Sequence, residues 1–414
     1  MIYPANFEHK IAFEHIRKLL KENCISTLGE SMIEKISFSN NYKQICLLHE
    51  QTEEFRQLLL FDTPFPSQDY FDLRQEWARI KKEGTYIDLE KLIELRICLQ
   101  TIEQTRSYFL SRQEKNKYPN LLNLSQRFEF DNQWIISINN IIDEKGNVKD
   151  NASEKLQKIR QQIKSLEKDI SINIKKILSQ AKQDKLIDDN ADITVRNGRM
   201  VLPVPAVNKR KIKGFVHDSS TTGQTYFIEP QEVFEANNLL QNLQIDEHIE
   251  IIQILTTFTE QLRPNLEIIA KGFHYLALLD FIRAKSKFAI QFNACKPIIV
   301  NKPIVDWQEA RHPILEANLK QQGKSIVPLN ITLGNTYFIL IISGPNAGGK
   351  SVCLKTLALL QYMFQVGIPV PASPNSEFGI FNVTAPFSEK SEMRHHFSVT
   401  ALELPRIDFA ICVW

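Results

Sequence analysis

Phe7, Ile11, Ile16, Leu19 and Leu20 fall on one face of a helix, and QICLLHEQTEEFRQLLLF, Gln44 to Phe61, repeats the pattern. The two prolines of DTPFPSQ, Asp62 to Gln68, interrupt it with a loop, and LEKLIELRICLQTIEQTRSYF resumes it. The first 150 residues therefore read as a helical domain. Nothing in them carries evident chemistry, which assigns them to scaffolding.

The middle of the chain has a longer period and then a different one. After a turn at DEKGNVKDNAS, apolar positions recur at Leu156, Ile159, Ile163, Leu166, Ile170, Ile174 and Ile177 with polar residues elsewhere, the seam of a helix that pairs with another. At 1.5 Å per residue the stretch from Ala152 to Ile187 predicts an arm roughly 50 Å long. A second helical stretch runs from Gln231 through Leu262, breaks at Pro264 and resumes to Phe288. Between the arms, ITVRNGRMVLPVPAVNKRKIKGFVHDSSTTGQTYFIEP alternates, is rich in β-branched and aromatic residues and is punctuated by Gly198, Gly214 and Gly223. This predicts a β-rich insert at 193–230, a head on two helical levers, within a domain spanning 151–295. From 296 to 414 the pattern turns α/β: KPIIV, a loop with ARHPIL, a strand at Tyr337–Ile342, then a glycine-rich loop and a helix.

Composition adds bounds. A net charge of +2 neither requires nor forbids a nucleic-acid partner, so local charge has to decide. Six scattered cysteines without a CxxC pair fit reduced thiols rather than a disulfide frame or a zinc site. Charges throughout the first 25 residues argue against a signal peptide, and no 18-residue apolar run suggests a membrane span. The expectation is a cytoplasmic, soluble protein.

The chemistry concentrates in Gly344-Pro345-Asn346-Ala347-Gly348-Gly349-Lys350-Ser351, which fits G-x-x-x-x-G-K-[ST] at every required place. Glycines let backbone N–H groups converge on phosphate oxygens, and the helix that follows adds its N-terminal partial charge. The motif assigns ATP as ligand, with Lys350 on the β and γ phosphates, Val352 in the same first turn, and the Ser351 hydroxyl on Mg²⁺.

GPNAGGKS, together with ARHPIL upstream of it, resembles the ATPase domain of the MutS family. GRMVLPV, GFVHDSSTTGQTYFIEP and EANNLL resemble the second bacterial paralogue, the MutS2-type branch without a mismatch-reading domain. The similarity runs from about Phe7 to Phe381. It implies a multidomain α plus α/β fold: a helical core, lever helices carrying a clamp tip, and an ABC-like P-loop ATPase domain that dimerises around nucleotide. It also implies DNA as partner, double-stranded or branched, and for some members the ribosome. His312 in ARHP lies either near the adenine or in a turn as a satisfied histidine, and Ile326 and Val327 either contact the base or pack in a core.

Two features depart from that pattern. The family's strand ending in Asp-Glu, which holds Mg²⁺ and orients water, has no counterpart after Lys350, and its nuclease-like domain is absent. The tail 382–414 does not fit, which leads to the expectation of a frameshift or early stop near Asn382, impaired hydrolysis, and a segment from Pro297 to Trp414 that folds poorly alone, with open strand edges. The alternatives to a nucleotide-gated DNA clamp are a non-enzymatic binding fragment and an unrelated P-loop kinase.

The insert offers a second candidate. Arg196, Arg199, Lys209, Arg210, Lys211 and Lys213 lie between Thr194 and His217 with no acid among them, a set that either grips phosphates or forms a solvated hairpin face. His217-Asp218 resembles a catalytic dyad on paper, but its place in the insert favours a structural role. The adjacent His395 and His396 rank low as a metal or base pair.

Overall fold

The computed structural model describes residues 6–67, 70–334, 336, 339–342, 349–382, 385–386, 398–401 and 410–413; at 115, 339, 341 and from 385 onward it describes the backbone alone. The chain divides into two compact units, one built from 1–75, 94–132 and 265–414, the other from 76–93 and 133–264.

The predicted helical start is present as eight helices: α1 Phe7–Lys10, α2 Phe13–Glu22, α3 Thr27–Glu34, α4 Tyr42–Phe61, α5 Arg74–Ile80, α6 Leu89–Leu110, α7 Pro119–Gln126 and α8 Gln133–Ile141. Several begin on side-chain caps that the sequence supplies. Ser26 accepts the Gly29 N–H ahead of α3, and Asn41 accepts the Gln44 N–H ahead of α4.

The second unit contains the arms and the insert. Helix α9, Glu154–Gln183, starts on Ser153, whose hydroxyl accepts the Leu156 N–H at 3.0 Å. Its buried positions are Leu156, Ile159, Ile163, Ile170, Ile174, Leu178 and Ala181. The seam therefore passes from Ile177 to Leu178 near the end, because a straight helix drifts against a 3.5-residue repeat. Four strands follow: β1 Thr194–Arg196, β2 Arg199–Pro205, β3 Gly214–Ser219 and β4 Thr225–Pro230, in one antiparallel sheet of order β1-β2-β4-β3. Asn197 and Gly198 both have positive φ, 53° and 75°, and close the β1–β2 hairpin as Asn-Gly pairs do. Leu202, Val204 and Ile228 from the sheet pack on Ile174, Leu178, Ala181 and Ile187, which fixes the insert to the end of α9. Helix α10, Gln231–Leu262, runs back antiparallel to α9; Lys155 and Arg160 pair with Glu250 and Glu247.

Helix α11, Leu266–Gln291, belongs to the first unit and buries residues on all sides, from Phe273 to Ala289, against α2, α3 and α4. Asp280 on α11 is fully buried and accepts from Ile25 N, Ser26 N and the Ser26 hydroxyl, holding the start of α3. The α/β part of this unit contains β5 Ile298–Val300, β6 Val305–Ala310, α12 Pro313–Gln321, β7 Leu329–Leu333, β8 Ile339–Ile342, α13 Lys350–Gln365, β9 Glu377–Gly379, β10 Ala385–Pro386, β11 Ser398–Ala401 and β12 Ala410–Val413. One sheet has the order β5-β9-β6-β7 and the other β10-β11-β12-β8. The second sheet adds a strand within the tail. An apolar strand does follow the loop helix: β12 lies parallel to β8, Ala410 opposite Ile339 and Val413 opposite Ile342. β8 stands at the end of the sheet as described.

Candidate nucleotide and nucleic-acid sites

In the first unit, β8 enters the glycine-rich loop and α13 leaves it. Gly344, Pro345, Asn346, Ala347 and Gly348 lie outside the described residues, as do His395 and His396. Gly349 is the N-cap of α13 with φ 87° and ψ 8°, a left-handed conformation that favours glycine, and a Cβ there would meet open space. The Gly349 carbonyl accepts the Cys353 N–H at 2.9 Å, so Lys350 opens a regular helix. Ser351 and Val352 are exposed in that first turn.

His312 lies near this helix. It caps α12 through Nδ1, which accepts the Leu315 N–H at 3.4 Å, so the ring proton sits on Nε2. Burial, joined by the charge of Lys355 on α13, pushes its pKa down to about 4. At neutral pH it is an uncharged N–H donor beside a phosphate-type loop helix. Val327 is 88% exposed, so core packing does not account for it; Ile326 is half-buried.

From Leu354 onward α13 is buried apart from Lys355. The sequence reading missed what holds its far end. The Gln361 amide donates to Gln365 and to the Gly379 carbonyl at 2.9 Å, and Gln365 donates to the Ser39 and Phe381 carbonyls. His49 on α4 meets the Phe364 carbonyl at 2.9 Å, and Lys285 on α11 donates to the Gly367 carbonyl at 3.1 Å. Both bases are fully buried at the negative end of the helix. Burial pushes His49 down to about 3 and Lys285 down to about 7. The two glutamines, four apart in an otherwise apolar helix, were the available signal.

In the second unit the six basic residues separate by role. Arg199 turns inward: its guanidinium meets both oxygens of Glu229 at 2.9 and 3.0 Å and reaches Asn238 and Gln241 on α10. Glu229 is fully buried and also accepts from Asn237 and His217. Arg199 is therefore committed to holding the sheet on α10 rather than to an outside phosphate. His217 sits at a β-bulge, where the register shifts between Val216 and Asp218, and points to Glu229 instead of its sequence neighbour. Asp218 pairs with Arg196 at 3.4 Å. The dyad is not formed.

Arg196 lies over the Phe227 ring at 4.3 Å and Lys209 over Tyr226 at 3.9 Å. Arg210, Lys211 and Lys213 are exposed and make no ion pair among the described residues. Asn208, donating to the Leu186 carbonyl at 2.9 Å, ties this basic turn to the end of the arm.

Among the described residues no cluster of His, Cys, Asp and Glu could hold a metal, and no helix is long and apolar enough to cross a membrane. No family model matches the chain. The curated relatives are consistent with one another. A protein named Endonuclease MutS2 from Geobacillus sp. (strain WCH70) is 32% identical over 401 residues, 96% of this chain and 50% of its own length. Proteins of the same name from Bacillus mycoides (strain KBAB4) and Finegoldia magna are 30% and 31% identical, each over 96% of this chain and 50% of their own length. The chain spans about half the length of the curated relatives it matches. By this similarity along nearly the whole chain, it is a homologue of proteins named Endonuclease MutS2 over half of their length.

Proposed function

We propose that this chain binds ATP with Mg²⁺ at Gly344–Ser351 and nucleic acid at the exposed basic turn of its β insert, as a nucleotide-gated clamp of the MutS type. The carrying observation is the left-handed Gly349 at the head of α13, directly after the apolar strand and the loop motif. Such a glycine turns the chain so that the first N–H groups of the helix point out of its N-terminus, the end that favours an anion. Lys350 and Ser351 in the first turn supply the residue types that phosphate and Mg²⁺ require, and His312, uncharged, offers an N–H to the base. Bound Mg²⁺ would neutralise charge between the β and γ phosphates.

Gly344–Ser351 supplies groups that hold phosphate and Mg²⁺, not groups that position the attacking water. The reading is thus binding and gating, with the nuclease activity in the relatives' name left aside. Duplex or branched DNA is the chosen partner, since exposed cations clustered on one turn suit a grip on the phosphate backbone. In the non-enzymatic alternative the basic turn works without nucleotide.

A fluorescent ATP analogue tests the first half. The chain is expected to bind it, and Lys350→Ala to weaken binding at least tenfold. No binding at millimolar analogue, with the chain folded, overturns it. DNA titration across salt tests the second. Lys209→Ala and Arg210→Ala are each expected to lower the salt slope on duplex by about 0.9. Ribosomes displacing DNA at equal concentration would shift the partner, and unchanged slopes would remove the turn from the site.

A further inference from the structure

We infer that the groove between the end of α9 and the basic turn is a seat for one unstacked nucleotide of a single-stranded nucleic acid. The inference rests on the nucleic-acid reading above and names a partner class for it. The groove has a volume of about 560 Å³, within the few hundred to a thousand Å³ typical of small-molecule sites. Its floor is apolar: Ile177 and Ala181 from α9, Leu186 after it and Ile212 from the turn, the open edge of the core that joins sheet to arm.

Its rim is cationic. Lys211 and Lys213 stand on one side and Lys176 on the other, all exposed and without an ion pair among the described residues. Lys176 lies on the arm, outside the basic run that the sequence singles out. Asp184 and Glu232 also line the groove, acceptors suited to the N–H groups of a base and repulsive to phosphate. The three lysines are thereby left to the phosphates on the rim and the apolar floor to the base.

At this groove the division of chemistry selects an unpaired nucleotide, of the kind branched DNA exposes, while the rest of the basic turn can grip duplex phosphates. A duplex offers phosphates to the lysines but keeps base faces stacked inside, so the floor would stay unused. An unpaired nucleotide presents both a charged backbone and a flat apolar face. The backbone of the turn is fixed for the purpose, by Asn208 on Leu186 and by the Gln231 N–H on the Lys213 carbonyl at 3.1 Å.

The test uses the full chain and fluorescent oligothymidylate, with a duplex of equal length, thymidine monophosphate and inorganic phosphate as competitors. Lys176→Ala is a surface change to a better helix former, and circular dichroism checks that it folds. Oligothymidylate affinity should fall three- to tenfold and the salt slope by about 0.7, with Lys176→Arg restoring both and duplex affinity moving less than twofold. An equal loss on duplex, no loss on either, or a mononucleotide or phosphate competing as well as the oligomer would overturn the seat. Lys209→Ala and Arg210→Ala run alongside. If they weaken binding while Lys176→Ala does not, the groove assignment falls and the basic turn stands; if no nucleic acid binds at all, both fall.

Discussion

Glu229 shows how one residue can decide whether the β insert keeps its orientation. Its carboxylate is fully buried and meets Arg199, His217 and Asn237, whereas pairs such as Lys164–Asp150 stand in solvent. Exposed pairs contribute about 0–1 kcal/mol, while removing one partner of a buried pair costs about 3–5 kcal/mol because the other charge is left uncompensated. Glu229→Ala should therefore destabilise the chain by about 3–5 kcal/mol in urea unfolding, and Asp150→Ala by less than about 1 kcal/mol. Comparable losses would mean that the buried pair is not what holds the sheet. Gly379 is a second such position, for steric rather than electrostatic reasons. A Cβ there would lie 2.2 Å from the Ile304 nitrogen and 2.3 Å from the Lys302 carbonyl oxygen, both backbone atoms. Gly379→Ala should cost about 1–3 kcal/mol by overpacking, read as a lower urea midpoint with an unchanged slope. Neither residue announced itself in the sequence. Glu229 closes an otherwise apolar strand, and only the long-range approach of Arg199 and α10 explains it.

At the scale of elements, α13 is the instructive case, since its two ends differ in how readable they were. The glycine, lysine and serine of its start follow a local rule of backbone geometry, so the loop motif and the helix boundary were legible. Its other end depends on α4 and α11, far away in the chain, and no local spacing reveals that His49 meets the carbonyl of Phe364 and Lys285 that of Gly367 just past the helix. The arms behave likewise: the α9 seam and the β insert between the arms were legible, and the inward turn of Arg199 was not. The α13 end has a pH signature. Lys285 has its pKa pushed down to about 7 in the folded chain against 10.5 ordinarily. Between these values the unfolded chain holds a proton that the folded one has lost, so stability rises with pH, by at most about 1.4 kcal/mol per unit. His49, pushed down to about 3, acts lower: stability falls as pH drops below about 6.5, where the unfolded histidine takes up a proton that the folded one refuses. Lys285→Met should flatten the rise between pH 7 and 10 and leave the acid limb intact. A variant whose profile parallels the parent across both windows would show that Lys285 is not titrating there.

For the whole molecule, the division into two units means that the two candidate sites belong to separate bodies, each with its own core. The sequence reading placed the domain boundaries near 150 and 295, whereas compactness returns 94–132 to the same unit as 265–414 and places 76–93 with the arms. Sequence periodicity reports helices and strands as they are met along the chain, and it contains no information about which distant segments share a core. Strand β12 was not legible for a related reason: a strand as short as Ala410–Val413 is recognisable chiefly by its parallel partner β8. Hydrogen exchange can test the assignment of ligands to units, because a bound ligand lowers local opening only where its contacts stabilise the closed form. A saturating ATP analogue at one hundred times its Kd stabilises the bound form by about 2.7 kcal/mol. If that form is the first unit, amides of α13 that exchange by opening of this unit should slow by up to about a hundredfold. Amides of α9 and of the basic turn at 206–213 should be slowed by oligonucleotide instead, and Lys350→Ala should erase only the first effect. Protection of 206–213 by the ATP analogue alone, in the absence of nucleic acid, would place nucleotide in the insert and contradict the division of labour drawn from Gly349 and the lysine turn.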